Sequence, residues 1–150
     1  MAAIGLRTGQ SYGEAGREVL HARTTELFAR AELVAHIDEP ERVHRMRVAT
    51  RRLRAALEVF EDCFPPKRVS EARAEVKELA DALGQRRDCD VLIDLLESLA
   101  PAAGRAERST IDQLVHELRD EQVAANELLS RALAHARDIG LEQRLRSLAE

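Results

Sequence analysis

Apolar residues recur three and four positions apart along the chain, and nowhere do they alternate as a half-buried strand would require. From about Glu14 to Ile37, the residues Leu20, Leu27, Ala31 and Val34 share one face, which predicts a first helix stopped by "DEP" at 38–40. A second spans Glu41 to about Glu61 with Met46, Ala49, Leu53, Leu57 and Phe60 as its apolar stripe; "CFPP" ends it because proline cannot continue a helix interior. The third begins near Ser70, carries Val69, Ala72, Val76, Leu79, Ala80 and Leu83 at helical spacing, and has Gly84 as its expected C-terminal stop. Asp88 or Asp90 would then cap a fourth helix bearing Leu92, Leu95, Leu96 and Leu99, closed by "PAAG". A last long helix, about Arg105 to Asp138, packs through Ile111, Leu114, Leu118, Leu128 and Leu133, and "IGLEQRLRSLAE" forms a short amphipathic tail. Helices of this length on short connections predict an all-α fold, an antiparallel bundle of about five helices. No composition shift marks a boundary, so residues 14–150 are expected to form a single domain behind a flexible segment, 1–13.

Composition strengthens the helical reading. The 150 residues include 24 alanines with abundant Leu, Glu and Arg, while 3% aromatics leave little with which to stack the bases of a single-stranded nucleic acid. The start "MAAIGLRTGQSYG" is polar and no apolar run approaches the roughly 20 residues of a spanning helix, so the expected compartment is the cytoplasm and no membrane partner is expected. Cys63 and Cys89 suit a reducing environment and should lie at opposite ends of one helix, beyond disulfide reach.

Charge changes the picture. The net charge is −4, yet "HRMRVATRRLR" at 44–54 holds one histidine and five arginines without an acid. At about 100° per residue, His44, Arg47, Arg51 and Arg54 fall within about a quarter of the helix circumference, as a cationic ridge bordering the apolar stripe, while Arg45 and Arg52 project from another side. Like charges three and four residues apart destabilise a helix by about 0.2–0.5 kcal/mol per pair, so something should offset them. Acids on neighbouring helices, such as Glu71, Glu75, Glu78 or Asp94, could do so through ordinary salt bridges. An anion with repeated charges could do so as well, and the preference for arginine, 21 against 2 lysines, suits bidentate phosphate recognition.

The stretch "VHRMRVATRRLRAALEVF" at 43–60, followed by "LGQRRDCDVLIDLL" at 83–96, resembles the CHAD family, the conserved histidine α-helical domain, in both order and spacing of the two motifs. The resemblance covers residues 14–100 well and the remainder loosely. It implies an all-helical, non-enzymatic binder of inorganic polyphosphate whose contacts come from His44, Arg47, Arg51, Arg52 and Arg54 and from Arg87, with Arg86 as a helper and Asp88 structural. It also implies a second histidine-arginine helix, for which this chain offers only the acid-interrupted "LVHELRDEQ" at 114–122, with His116 and Arg119. The chain thus reads as a short form with one clear repeat, like one half of a CHAD domain. Its expected location extends to polyphosphate granules.

Other chemistry finds little support. His21, His36 and His135 are scattered at no metal-ligand spacing, and no nucleophile-base pairing, glycine-rich phosphate loop or metal-binding helix motif is present, so neither metal nor cofactor is expected. Two further readings stay open: an interaction module whose ridge docks an acidic protein, and a weak nucleic-acid binder, the latter disfavoured by the acidic balance. The length of the last helix suggests that Leu128, Leu129, Ala132 and Leu133, extended by Leu141, Leu145 and Leu148, form a homodimer face unless the tail folds back over it.

Overall fold

The computed structural model describes residue 5, residues 7–31, residue 34 and residues 39–150. Among the described residues five α-helices make up the bundle: α1 (Tyr12–Phe28), α2 (Pro40–Val59), α3 (Pro66–Leu99), α4 (Arg105–Asp138) and α5 (Leu141–Leu148). No strand occurs among the described residues. Ser11 opens α1 with a capping box: its hydroxyl accepts from the Glu14 amide, while the Glu14 carboxylate accepts from the Ser11 amide. The Ser11 hydroxyl also donates to that carboxylate, and this bond, with the one from the Ser11 amide, holds the Glu14 carboxyl below its ordinary pKa. Pro40 sits in the first turn of α2 and Pro66 in that of α3, where a missing N–H costs nothing. Gly140 takes the left-handed conformation, φ 62°, that lets the chain turn sharply from α4 into α5.

The core lies where α2 packs between α1 and the first half of α3, closed by α5 and the last third of α4. Leu20 and Leu27 of α1, Met46, Leu53 and Leu57 of α2, and Val76, Leu79 and Leu83 of α3 are all essentially inaccessible to water. The stripes expected of the first three helices are buried or, at Phe60 and Ala80, half-buried, whereas those expected further along are not: Leu92, Leu95 and Leu99 of α3 and Leu114 and Leu128 of α4 are exposed. Thr24 and Thr50 also lie inside, their hydroxyls satisfied by the carbonyls of Leu20 and Met46 one turn back.

Three expectations are corrected. Helix α1 ends at Phe28 with Ala29 as its C-cap, well short of Ile37; His36, Ile37 and Asp38 lie outside the described residues. Helix α3 runs unbroken from Pro66 to Leu99, so Gly84 does not stop it and neither Asp88 nor Asp90 caps a separate helix. An interior glycine costs about 1 kcal/mol, too little to break a helix held by tertiary packing and by the Arg86–Asp90 pair one turn further on. Cys63 accordingly lies in the 3₁₀ turn before α3 and Cys89 within α3, both as free thiols. Finally, Leu129, Leu133, Leu141, Leu145 and Leu148 are buried: the tail folds back as α5 and covers that face within the chain, although Leu128 stays exposed.

Merging the third and fourth expected helices makes α3 as long as α4, 34 residues each and about 51 Å. They are longer than the rest of the bundle. The buried residues of α4 are Ala125, Leu129, Leu133 and Ala136, all in its C-terminal half, so residues 88–124 project from the bundle as a two-helix arm.

Candidate cationic groove between α2 and α3

The arginines of α2 divide by the flank they occupy. On the flank toward α1, Arg52 reaches the carboxylate of Glu26 at 2.9 Å, where Arg23 binds at 2.6 Å and Arg30 at 3.5 Å. Glu26 is 8% exposed. Burial pushes its carboxyl toward neutrality, but the hydrogen bond and charge of Arg23, with the charges of Arg52 and Arg30, prevail and hold it below the ordinary value. In the first turns of α2, Arg42 pairs with Glu39 and Arg45 with Glu41, the latter at 3.0 Å.

Away from α1 the situation reverses. Arg47, Arg51 and Arg54 are exposed and His44 half-exposed, and none of the four makes a hydrogen bond or ion pair with a described residue. The acids that could have neutralised them are engaged elsewhere: Glu71 and Glu75 bind Arg144 of α5, and Glu78 approaches His135 of α4 at 4.0 Å. Asp94 lies on the projecting arm and pairs with none of them.

Helix α3 brings more cations to this flank. Arg54 and Glu58 share a cleft of 190 Å³ with Arg73, Ala74 and Lys77. That contact fixes the register. Ten residues onward in antiparallel α3 and ten back in α2, about 15 Å in each case, Arg87 comes level with His44. At 100° per residue, Arg73, Lys77, Ala80, Gly84 and Arg87 lie within about 80° of arc on α3. Between the cationic ends the floor is small: a Cβ built on Gly84 would meet nothing within 4 Å. Arg73 and Lys77 carry partners, Glu61 and Asp81, at the outer edge. Arg87 makes no ion pair with a described residue.

Arg86 differs from its expected role as a helper. It is fully buried, paired with Asp90 one turn on and hydrogen-bonded through Nε to Asn126 of α4 at 3.3 Å; Gln122 donates to the same Asp90 oxygen at 2.7 Å. Burial lowers its pKa from the usual arginine value. The side chain therefore joins α3 to α4 and is not presented to a ligand. Asp88, expected to be structural as a cap, is an exposed mid-helix residue. His116 and Arg119 lie on the exposed arm, where His116 is 4.0 Å from Asp120 and Arg119 is 2.6 Å from Glu97.

Sequence reasoning missed Arg73 and Lys77. Their signal was available in the spacing 73, 77, 80, 84, 87, but it is legible only once α3 is continuous. Among the described residues no cluster of three or more His, Cys, Asp or Glu could hold a metal ion, and no helix is long and apolar enough to cross a membrane. A larger cavity of 640 Å³ lies away from the groove, beside the N-terminal half of α1, where Glu14 and Glu18 accompany Arg7, Arg17 and His21.

The uncharacterized protein Rv2226 of Mycobacterium tuberculosis (strain ATCC 25618 / H37Rv) is 38% identical over 81 residues, and the uncharacterized protein MT2285 of strain CDC 1551 / Oshkosh is 37% identical over 81 residues. The match takes in 50% of this chain and spans 16% of the length of either relative. No solved structure gives a significant match. The family model for the CHAD domain matches residues 18–150, all five helices but for the first turns of α1, and the chain belongs to the CHAD domain family.

Proposed function

We propose that the chain is a non-catalytic binder of inorganic polyphosphate, held in the groove between α2 and α3 by Arg47, Arg51, Arg54 and Arg87 with His44 at one end. The observation that carries this reading is that those arginines have no acid partner among the described residues, whereas Arg23, Arg52, Arg73, Lys77 and Arg86 on the same and neighbouring helices each have a carboxylate. Unneutralised arginines one turn apart repel, and a polyanion with a charge on every repeat offsets that repulsion along the whole ridge. His44 to Arg54 spans about 15 Å, room for several phosphates in line. Arg52 serves this site from behind, fixing α2 against α1 through Glu26 while its partly exposed head adds positive potential. Such a binder would work in the cytoplasm, where polyphosphate accumulates in granules.

Competition tests the reading. Labelled long-chain polyphosphate should bind the chain, be displaced by unlabelled polyphosphate at low concentration, and resist duplex DNA and an acidic peptide. Displacement by the peptide or the DNA at equal charge concentration would replace polyphosphate with that ligand class.

A further inference from the structure

Two cations at the outer end of the groove are tied to acids that stand outside it. Arg54, the last arginine of the ridge, lines the 190 Å³ cleft together with Arg73 and Lys77, three cations against the single carboxylate of Glu58. Arg73 also borders a second cavity, of 530 Å³, which it lines with Glu61 and Asp62 of the 3₁₀ turn between α2 and α3. It is paired on that side, with Glu61. Lys77 is paired one turn along its own helix, with Asp81 at 2.6 Å. Neither Glu61 nor Asp81 lines the cleft that their cations share with Arg54. Both pairs stand in water: the side chains of Arg73 and Glu61 are 43% and 49% exposed, those of Lys77 and Asp81 62% and 53%. Such pairs hold their partners weakly, because water screens the attraction and two long side chains must be immobilised to keep it. Since Arg73 lines both cavities, a change of rotamer carries its head from Glu61 to the cleft with no movement of α3.

We propose that Glu61 and Asp81 hold Arg73 and Lys77 back from the ligand and give them up when a phosphate chain enters the cleft, so that these two acids set how tightly the groove binds. The inference rests on the reading of the groove as a polyphosphate site. Anchoring drives the exchange. A chain already bound along Arg47, Arg51 and Arg54 presents its next phosphates to Arg73 and Lys77 at high effective concentration, in competition with carboxylates that hold them only weakly. Arg73 then exchanges one carboxylate for phosphate oxygens that accept charge-assisted, bidentate bonds from its guanidinium, and Lys77 exchanges its own for a point-charge contact. Glu58 stays in the cleft wall and opposes the chain, but the three cations around it leave that end of the groove positive. Glu61, Asp81 and Glu58 thus act in one direction, each weakening a site that the arginines build.

Double-mutant cycles read by the anisotropy of labelled long-chain polyphosphate test the proposal. Glu61→Gln should tighten binding about threefold, the worth of one exposed pair, and should have no effect once Arg73 is replaced by Ala. Asp81→Asn should behave in the same way with and without Lys77→Ala. Arg73→Ala and Lys77→Ala alone should each weaken binding. Glu127→Gln, which frees the equally exposed Arg131 of α4, measures what one added positive charge does away from the groove and should change affinity by less than about twofold, because a remote charge is screened. All of these positions are exposed, and each variant should keep the wild-type helicity by circular dichroism. An equal gain from Glu61→Gln with and without Arg73 would show that the acid acts through net charge alone, and no gain in either background would show that it does not compete; either result overturns the exchange while the groove remains a polyphosphate site. A wild type that binds no polyphosphate would overturn the reading of the groove, and the exchange with it, before any variant is compared.

Discussion

On the flank of α2 that faces α1, Arg52 joins Arg23 and Arg30 around one buried carboxylate; away from α1, Arg47, Arg51 and Arg54 stand about one turn apart and make no ion pair with a described residue. The glycines beside these two seams differ in the same sense. A Cβ on Gly16 of α1 would come within 2.9 Å of the Phe60 ring that follows α2, whereas one on Gly84 of α3 would meet nothing. One seam is closed by packing and charge pairing, the other left open with its cations unmatched. Identical residue types within a single helix thus have separate duties, and the neighbour across the seam decides which.

The comparison can be broken most severely at the open seam. Replacing Arg47 and Arg51 with Glu should reduce polyphosphate binding below detection in a filter or anisotropy assay, with the thermal midpoint unchanged or raised, because the substitution removes like-charge pairs along α2. A large loss of stability in that variant would mean the ridge serves the fold.

Next in size is the join between α3 and α4. Asp90→Ala leaves the buried Arg86 without its counter-charge and should cost about 3–5 kcal/mol in urea unfolding, while polyphosphate affinity of the folded fraction stays as in the wild type. The closed seam comes third. Glu26→Gln should cost about 1–2 kcal/mol, less than a fully buried pair because its arginines are partly in water. Its pH dependence has a definite sign. The folded carboxyl titrates below its unfolded value of 4.5, so its stabilisation is complete above that pH and lost as pH falls through the lowered folded pKa. The acid limb of the stability curve should therefore flatten in the Gln variant.

The smallest effects separate the two glycines. Gly16→Ala should destabilise by about 1–2 kcal/mol as Phe60 is displaced. Gly84→Ala should stabilise by about 0.5–1 kcal/mol, the ordinary gain of alanine in a helix interior with space around it. Thermal shifts of opposite sign, the larger for Gly16→Ala, are expected; a destabilising Gly84→Ala would show that the groove is tighter than described.

Much of this is legible in the sequence. The stripe of Met46, Leu53 and Leu57 follows from helical arithmetic, and so does the separation of Arg45 and Arg52 from the line of His44, Arg47, Arg51 and Arg54. What was not legible required tertiary packing. Gly84 looks like a stop signal locally, yet contacts of α3 with α2 and α4 outweigh its propensity. Arg86 and Arg87 are adjacent in sequence and look alike, but a rotation of 100° buries one in the α3–α4 join and leaves the other on the groove side. The partners of Glu26 could not be foreseen either, since Arg52 reaches it from 26 residues away.

The proposed polyanion site is the open α2–α3 seam and no other surface. Backbone amide shifts of the ¹⁵N-labelled chain titrated with polyphosphate test this directly. Saturable changes are expected at residues 44–54 and 73–87, with little response in α1, α5 or the arm beyond residue 92. Changes centred on the arm or on the N-terminal half of α1, or none at all at saturating polyphosphate, would contradict it.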